Sequence, residues 1–223
     1  MRRVILNFHG IGTPGRPLEP GEAEYWVAPE LLGETLALAE RLSDHVTLDL
    51  TFDDGNDSDL ELAAPILSRF RKKAHFFVLA NRIDAPGSLS TQALRELVAR
   101  GHEIGSHGAG HVDWSACSLE SLQNEVGPET RDRISASAGV PVRAAAIPFG
   151  RYNRRVLKAL RLAGYQLVYS SDGGAWRPGQ YPIPRTSPRS DMDMQDIEAI
   201  LLGREPIRRK LRRYVSRAMR ARM

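Results

Sequence analysis

Apolar runs short enough for strands alternate along this chain with longer stretches whose leucines recur every three or four residues. Residues 4–8 form the first run. It gives way to a Gly/Pro-rich segment, 9–21, long enough to be expected to have a task of its own. Pro29 can open a helix carrying Leu31, Leu32, Leu36 and Leu42, and residues 46–52 then alternate polar and apolar as a strand does. Asp57 and Asp59 stand where helix-start acids belong, ahead of Leu62, Ile66 and Phe70, and residues 75–79 read as the next strand. Ser90 suits the N-cap of a helix through Leu94, Leu97 and Val98, which Gly101 stops, and 102–105 is a brief strand. Ser118 begins a further helix, broken at Gly127-Pro128 and resuming to Ala138, before a strand at 142–147. A helix over 152–163, stopped by Gly164, leads into a strand at 166–170; the chain then loosens through glycines and prolines until a last helix at 191–202.

Strands that alternate with helices imply an α/β fold, its parallel sheet either doubly wound or closed as a barrel. Such folds place their chemistry beyond the C-terminal ends of the strands. Four polar clusters stand there: Asp53-Asp54, His107 with His111, Pro148-Phe149-Gly150, and Asp172.

Composition narrows the class. The 223 residues, 42% hydrophobic and 26% charged, suit one large domain or two small ones and exclude wholesale disorder or a coiled-coil rod. A formal charge of +4 suggests an anionic partner until it is divided along the chain. From Arg204 onward nine basic residues face the single acid Glu205, a net +8, which leaves residues 1–203 at −4. The expected organisation is therefore a mildly acidic domain over 1–203 and a basic tail over 204–223. Cys117 is the single cysteine, which excludes an intrachain disulfide and suits a reducing compartment. Residues 4–8 are too short for a signal-peptide core, and no run approaches the roughly 18–20 apolar residues of a membrane span, so a cytoplasmic location is expected.

Asp53 and Asp54 share a strand end with Gly55, which lets the backbone turn so that both carboxylates face one cavity. Alone, the pair reads equally well as a helix N-cap. His107 and His111, four residues apart, can share one metal or stand as two solvated side chains. Together, one carboxylate and two histidines make a zinc ligand set with positions left open for water and substrate.

These residues bring a family into view. Thr51-Phe52-Asp53-Asp54-Gly55, and His107 to His111 preceded by Gly101-His102-Glu103-Ile104-Gly105-Ser106, resemble the first two motifs of the polysaccharide deacetylases, the NodB-like or carbohydrate esterase family 4 domain. The resemblance covers roughly residues 3 to 190. It implies a distorted (β/α) barrel of about seven parallel strands. It implies Asp53 as general base, and Asp54, His107 and His111 as ligands of a divalent metal, zinc above all. The substrate implied is an N-acetylated glycan, whose carbonyl the metal would polarise while the oxyanion takes a backbone N–H from Phe149. Phe149, Tyr152, Trp26 and Trp176 are candidate walls for a sugar face, core being the alternative for each.

Two departures from the family pattern bear on mechanism. The third motif lacks its arginine and reads Ala146-Ile147-Pro148-Phe149-Gly150, as in the exopolysaccharide-cluster members that this chain resembles most. Arg185 is a substitute for that charge, or a surface residue. The family's closing histidine is also missing, since none follows His111, and His9 is the best replacement as general acid or substrate ligand, against a structural turn residue. His45, His75 and His102 are expected to be structural. Asp172 resembles the fourth-motif aspartate, orienting a partner or capping a loop.

In the tail, Ile207, Leu211, Tyr214 and Ala218 recur at helical spacing among arginines, the pattern of a basic amphipathic helix. It suits the inner face of an anionic membrane, and with it a lipid-linked oligosaccharide substrate, or else it packs on the barrel; nucleic acid is disfavoured for want of a stacking platform. The expected activity is metal-dependent N-deacetylation. Its alternatives are deacylation of a non-sugar amide or O-acetyl ester, and a non-catalytic carbohydrate-binding descendant.

Overall fold

The computed structural model describes residues 1–204; the basic tail beyond them, and the helix expected there, lie outside the described residues. In chain order the elements are β1 (Arg2–Phe8), β2 (Gly10–Ile11), β3 (Trp26–Val27), α1 (Pro29–Arg41), β4 (Val46–Phe52), α2 (Ala64–Arg69), β5 (His75–Val78), α3 (Thr91–Ala99) and β6 (Glu103–Ser106). There follow α4 (Leu119–Val126), α5 (Pro128–Ala138), β7 (Ala144–Ala146), α6 (Arg154–Leu162), β8 (Leu167–Ser170), β9 (Ala175–Trp176), β10 (Ile183–Pro184) and α7 (Met194–Leu202). The expected caps hold: Ser90 and Ser118 accept from the N–H groups of Ala93 and Ser121. The last helix starts three residues later than expected, because Asp193 caps it by accepting from Gln195 and Asp196.

One sheet of eight strands runs in the order β10-β8-β7-β6-β5-β4-β1-β9. Seven of its strands are parallel, as the family resemblance implied, and β9 pairs antiparallel to β1. The sheet closes where Thr186, just past β10, bridges Leu6 in parallel, its N–H donating to Ile5 O and its carbonyl accepting from Asn7 N, both at 2.9 Å. Strands β9 and β10 lie in the stretch that read as loosened chain. Two residues between glycines and prolines carry no periodicity, so only the closed barrel reveals them. Among the described residues no helix is long and apolar enough to cross a membrane.

The period of two along each strand sorts side chains into two layers. Val4, Leu6 and Phe8 of β1, with Leu48, Leu50 and Phe52 of β4, join the large core under the helices. The alternate positions fill the barrel, where Phe77, Ala144 and Ala146 form a small core of their own against Tyr169. Gly105 makes room for that core, since a Cβ there would lie 2.4 Å from the Phe77 ring. Gly105→Ala is expected to destabilise the fold by about 1–3 kcal/mol through overpacking, seen as a lower urea midpoint at unchanged slope.

His75 also belongs inside, stacked on Phe77 with ring centroids 4.5 Å apart. Burial, only partly opposed by a hydrogen bond to the Ile104 backbone, lowers its pKa to about 4. An unfolded imidazole titrates near 6.5, so the unfolded chain binds the extra proton between those values. Stability is therefore full above pH 6.5 and falls as pH drops toward 4, by about 3 kcal/mol from this group. His75→Phe is expected to flatten that part of the curve, measured by urea unfolding at pH 7, 5.5 and 4.

Candidate active site

The next inward positions up the strands leave the barrel core and meet at its C-terminal mouth. The Asp53 N–H continues the β1–β4 pairing by donating to Phe8 O at 2.9 Å. Asp54 and Gly55 then both take positive φ, 75° and 67°, and bend the chain back over the mouth. Gly55 is required twice over, since a Cβ would also fall 2.9 Å from Val78 Cγ1. The left-handed Asp54 costs about 1–3 kcal/mol and sets both carboxylates, 2% and 1% exposed, against one cavity of about 360 Å³.

Asp54, His107 and His111 offer donor atoms that all lie within 4.8 Å of one another. The Nε2 atoms of His107 and His111 stand 3.6 and 3.7 Å from Asp54 Oδ1. Their other ring nitrogens are engaged elsewhere, His107 Nδ1 with Ala146 O at 2.9 Å and His111 Nδ1 with Glu19 Oε2 at 2.6 Å. With the proton on Nδ1, each Nε2 directs a lone pair inward. Burial keeps the His107 pKa below its ordinary value, although Asp53 and Asp54 pull it upward. Both Asp54 oxygens are buried with no hydrogen-bond partner. A buried carboxylate with nothing to pair it, facing two imidazole lone pairs, fits a divalent cation.

Asp53 is held differently. Arg185 grips it in a fork, Nη1 to Oδ1 and Nη2 to Oδ2, both at 2.7 Å, and Asn7 Nδ2 donates to Oδ2 at 2.9 Å. Thr51 Oγ1 and Arg185 Nη1 both donate to Asn7 Oδ1, at 2.7 and 2.8 Å, fixing that amide's orientation. Burial would raise the Asp53 pKa, but Arg185, His107 and His9 together hold it well below the usual carboxylate range. The charge absent from the third motif is thus supplied by Arg185, immediately after β10. It is 0% exposed and packs over Phe77 and Tyr169, behind Asp53 and away from the substrate space.

The other expected site residues divide. His9 lines the cavity beside Tyr25, with ring centroids 4.8 Å apart and its Nδ1 buried without a partner. Phe149 lines it too, half exposed at φ 56°, its ring 4.3 Å from that of His111. Pro148 and Gly150 are buried and shape that turn without lining the cavity.

Asp172 stands behind the cavity wall and not in its lining: its Oδ2 accepts from Tyr152 Oη at 2.7 Å and Ser170 Oγ at 2.9 Å, so it orients those two hydroxyls and braces the end of β8. Tyr152 is likewise buried, and Trp26 packs against Gly10 in the β2–β3 pair. Trp176, expected as a wall for the sugar, is not at the site: it pairs with Arg3 at the start of β1, roughly 15 Å along the strand, on the opposite mouth. Sequence reasoning missed Asn7, Glu19, Arg151 and Ser187. Of these, Asn7 had a signal, a polar residue of inward parity within an apolar run.

The barrel itself has solved counterparts. The structure of a putative polysaccharide deacetylase from Bacillus anthracis superposes with a TM-score of 0.76 over 90% of this chain and 69% of its own, at 22% identity. The fold is thus the deacetylase type of (β/α) barrel. Sequence comparison is more specific, for the polysaccharide deacetylase family model matches residues 43–168, and this chain belongs to that family. A putative polysaccharide deacetylase of Bacillus subtilis strain 168 is 27% identical over 126 residues, 56% of this chain and 45% of that protein. A chitooligosaccharide deacetylase of Sinorhizobium fredii is 35% identical over 134 residues, 58% of this chain and 60% of that protein. The chain thus spans about half the length of these relatives. The matched family segment holds Asp53, Asp54, His107, His111 and Phe149; His9, Glu19 and Arg185 lie outside it.

Proposed function

We propose that this chain hydrolyses the N-acetyl group of an acetamido sugar in a glycan, using a divalent metal, zinc by donor chemistry, held by Asp54, His107 and His111. The observation that carries this reading is the unpartnered Asp54 carboxylate facing two imidazoles whose Nδ1 atoms are already engaged. A nitrogen-rich set with one carboxylate suits zinc over magnesium or calcium. A metal bound there would supply a water acidified toward neutrality and a polarised substrate carbonyl.

The chain's own groups account for the remaining steps. Asp53, kept ionised by Arg185 and Asn7, accepts the proton of the attacking water. His9, across the same cavity, delivers a proton to the departing amine as the C–N bond breaks, leaving acetate and a free amino sugar. Turnover closes when Asp53 passes its proton on, through the open cavity, to the His9 imidazole that has given one up. Phe149 and Tyr25 offer the sugar apolar faces, and the Phe149 N–H serves the oxyanion.

Acetate release from N-acetylated chitooligosaccharides by zinc-loaded protein, against Asp53→Asn and His9→Ala, tests this. Bound zinc and bound glycan with no acetate released would favour the carbohydrate-binding alternative. The charge of the tail supports a cytoplasmic enzyme resting on an anionic membrane and acting there on a lipid-linked oligosaccharide. Co-sedimentation with anionic liposomes is expected to weaken when residues 204–223 are removed, and equal pelleting would exclude that location.

A further inference from the structure

The orientation of His111 depends on a carboxylate far from the motif that supplies the imidazole. Glu19 Oε2 lies 2.6 Å from His111 Nδ1, across a sequence separation of 92 residues. Glu19 is itself held from two sides. Its second carboxylate oxygen pairs with Arg82, shortly after β5, and its backbone N–H donates to Glu22 Oε2 at 2.8 Å. Glu22 forms a buried ion pair with Arg16, and Arg16 Nη2 donates to Asn56 Oδ1 at 2.9 Å, two residues beyond Asp54. Contacts therefore run from the Asp53–Asp54 turn through Arg16 and Glu22 to Glu19, and from there onto His111.

We infer that Glu19 is a positioning residue for the metal site, and that the Gly/Pro-rich segment before β3 exists to carry it there. The inference rests on the reading that Asp54, His107 and His111 hold a metal. A carboxylate on the outer nitrogen of a ligating histidine fixes the tautomer and ring direction and strengthens the inner nitrogen as a donor. His107 receives its counterpart from the backbone carbonyl of Ala146, which no side-chain change removes. His111 instead receives it from a side chain on a separate segment. Its seating thus follows the seating of that segment, which also walls the cavity through Pro20, Gly21 and Glu22.

The test is zinc affinity of the whole metal-stripped chain, basic tail included, read by competition with a chromophoric chelator. Glu19→Ala is expected to weaken zinc binding by about 10- to 100-fold. Glu19→Gln, whose amide oxygen still accepts from Nδ1–H, is expected to recover most of that loss. Glu24→Gln lies on the same wall but pairs with Arg189 at 3.0 Å, and is expected to bind zinc as the wild type does. Zinc affinity of Glu19→Ala within twofold of wild type overturns the role, as does an equal loss in Glu24→Gln, which would mean that the wall had merely collapsed. A wild-type protein that takes up no zinc overturns the metal site itself, an outcome distinct from both.

Discussion

Asparagine at position 54 is expected to abolish zinc uptake and to lower acetate release by at least about 10³-fold, some 4 kcal/mol of barrier, while leaving the fold intact. The substitution is isosteric, and asparagine is among the residues that best tolerate the left-handed backbone of this turn, where φ is 75°. What it removes is the charge. Both oxygens of Asp54 are buried without a hydrogen-bond partner, so the metal-free wild type carries a desolvated carboxylate that a bound cation relieves. The metal-free variant should therefore unfold at a higher temperature than the metal-free wild type. Zinc at 100 times its Kd should stabilise the wild type by about 2.7 kcal/mol and leave Asp54→Asn unmoved. Asp53→Asn is the contrasting case, expected to keep the zinc-dependent shift and lose turnover. An Asp54→Asn protein that still responds to zinc would place the metal elsewhere.

What could be read in the sequence follows from how local each signal is. Asp53, Asp54, His107 and His111 sit in two short segments at the C-terminal ends of β4 and β6, either side of β5, so spacing and motif together sufficed. The alternation of strands and helices likewise announced a parallel α/β sheet, because each element is a local pattern. Arg185 stayed undecided because its partner is 132 residues away and its strand is two residues long. Once β10 is placed, Ile183, Arg185 and Ser187 fall on inward parity, but the proline-rich sequence gives no sign of a strand. Trp176 misled for the same reason. An aromatic near the end of a barrel suggests a sugar platform, and only the antiparallel pairing of β9 with Arg3 and Val4 sends it to the far mouth. Glu19 was invisible because a carboxylate in a loop has no periodic context, and its meaning lies wholly in the ring it touches.

Methionine at position 185 is expected to cost the metal-free fold about 3–5 kcal/mol, because it leaves Asp53 charged and without its partner at 2% exposure. In the wild type, Asp53 has its pKa below the unfolded value, so its contribution is full above pH 4 and is lost only as pH falls through the lower, folded value. Without Arg185 the burial that acts on Asp53 is opposed mainly by the histidines, and its pKa must rise. The variant can then relieve itself by taking a proton. Its deficit relative to wild type should be largest at pH 7 and shrink toward pH 4.5, measured by urea unfolding at both. Lost packing volume predicts a deficit that does not change with pH, so the two causes separate. The double variant Asp53→Asn/Arg185→Met removes both charges, and should regain much of the stability while remaining inactive. In Arg185→Met alone, the acid limb of the turnover profile should move to higher pH, because the arginine acts through the base it holds and not on the sugar.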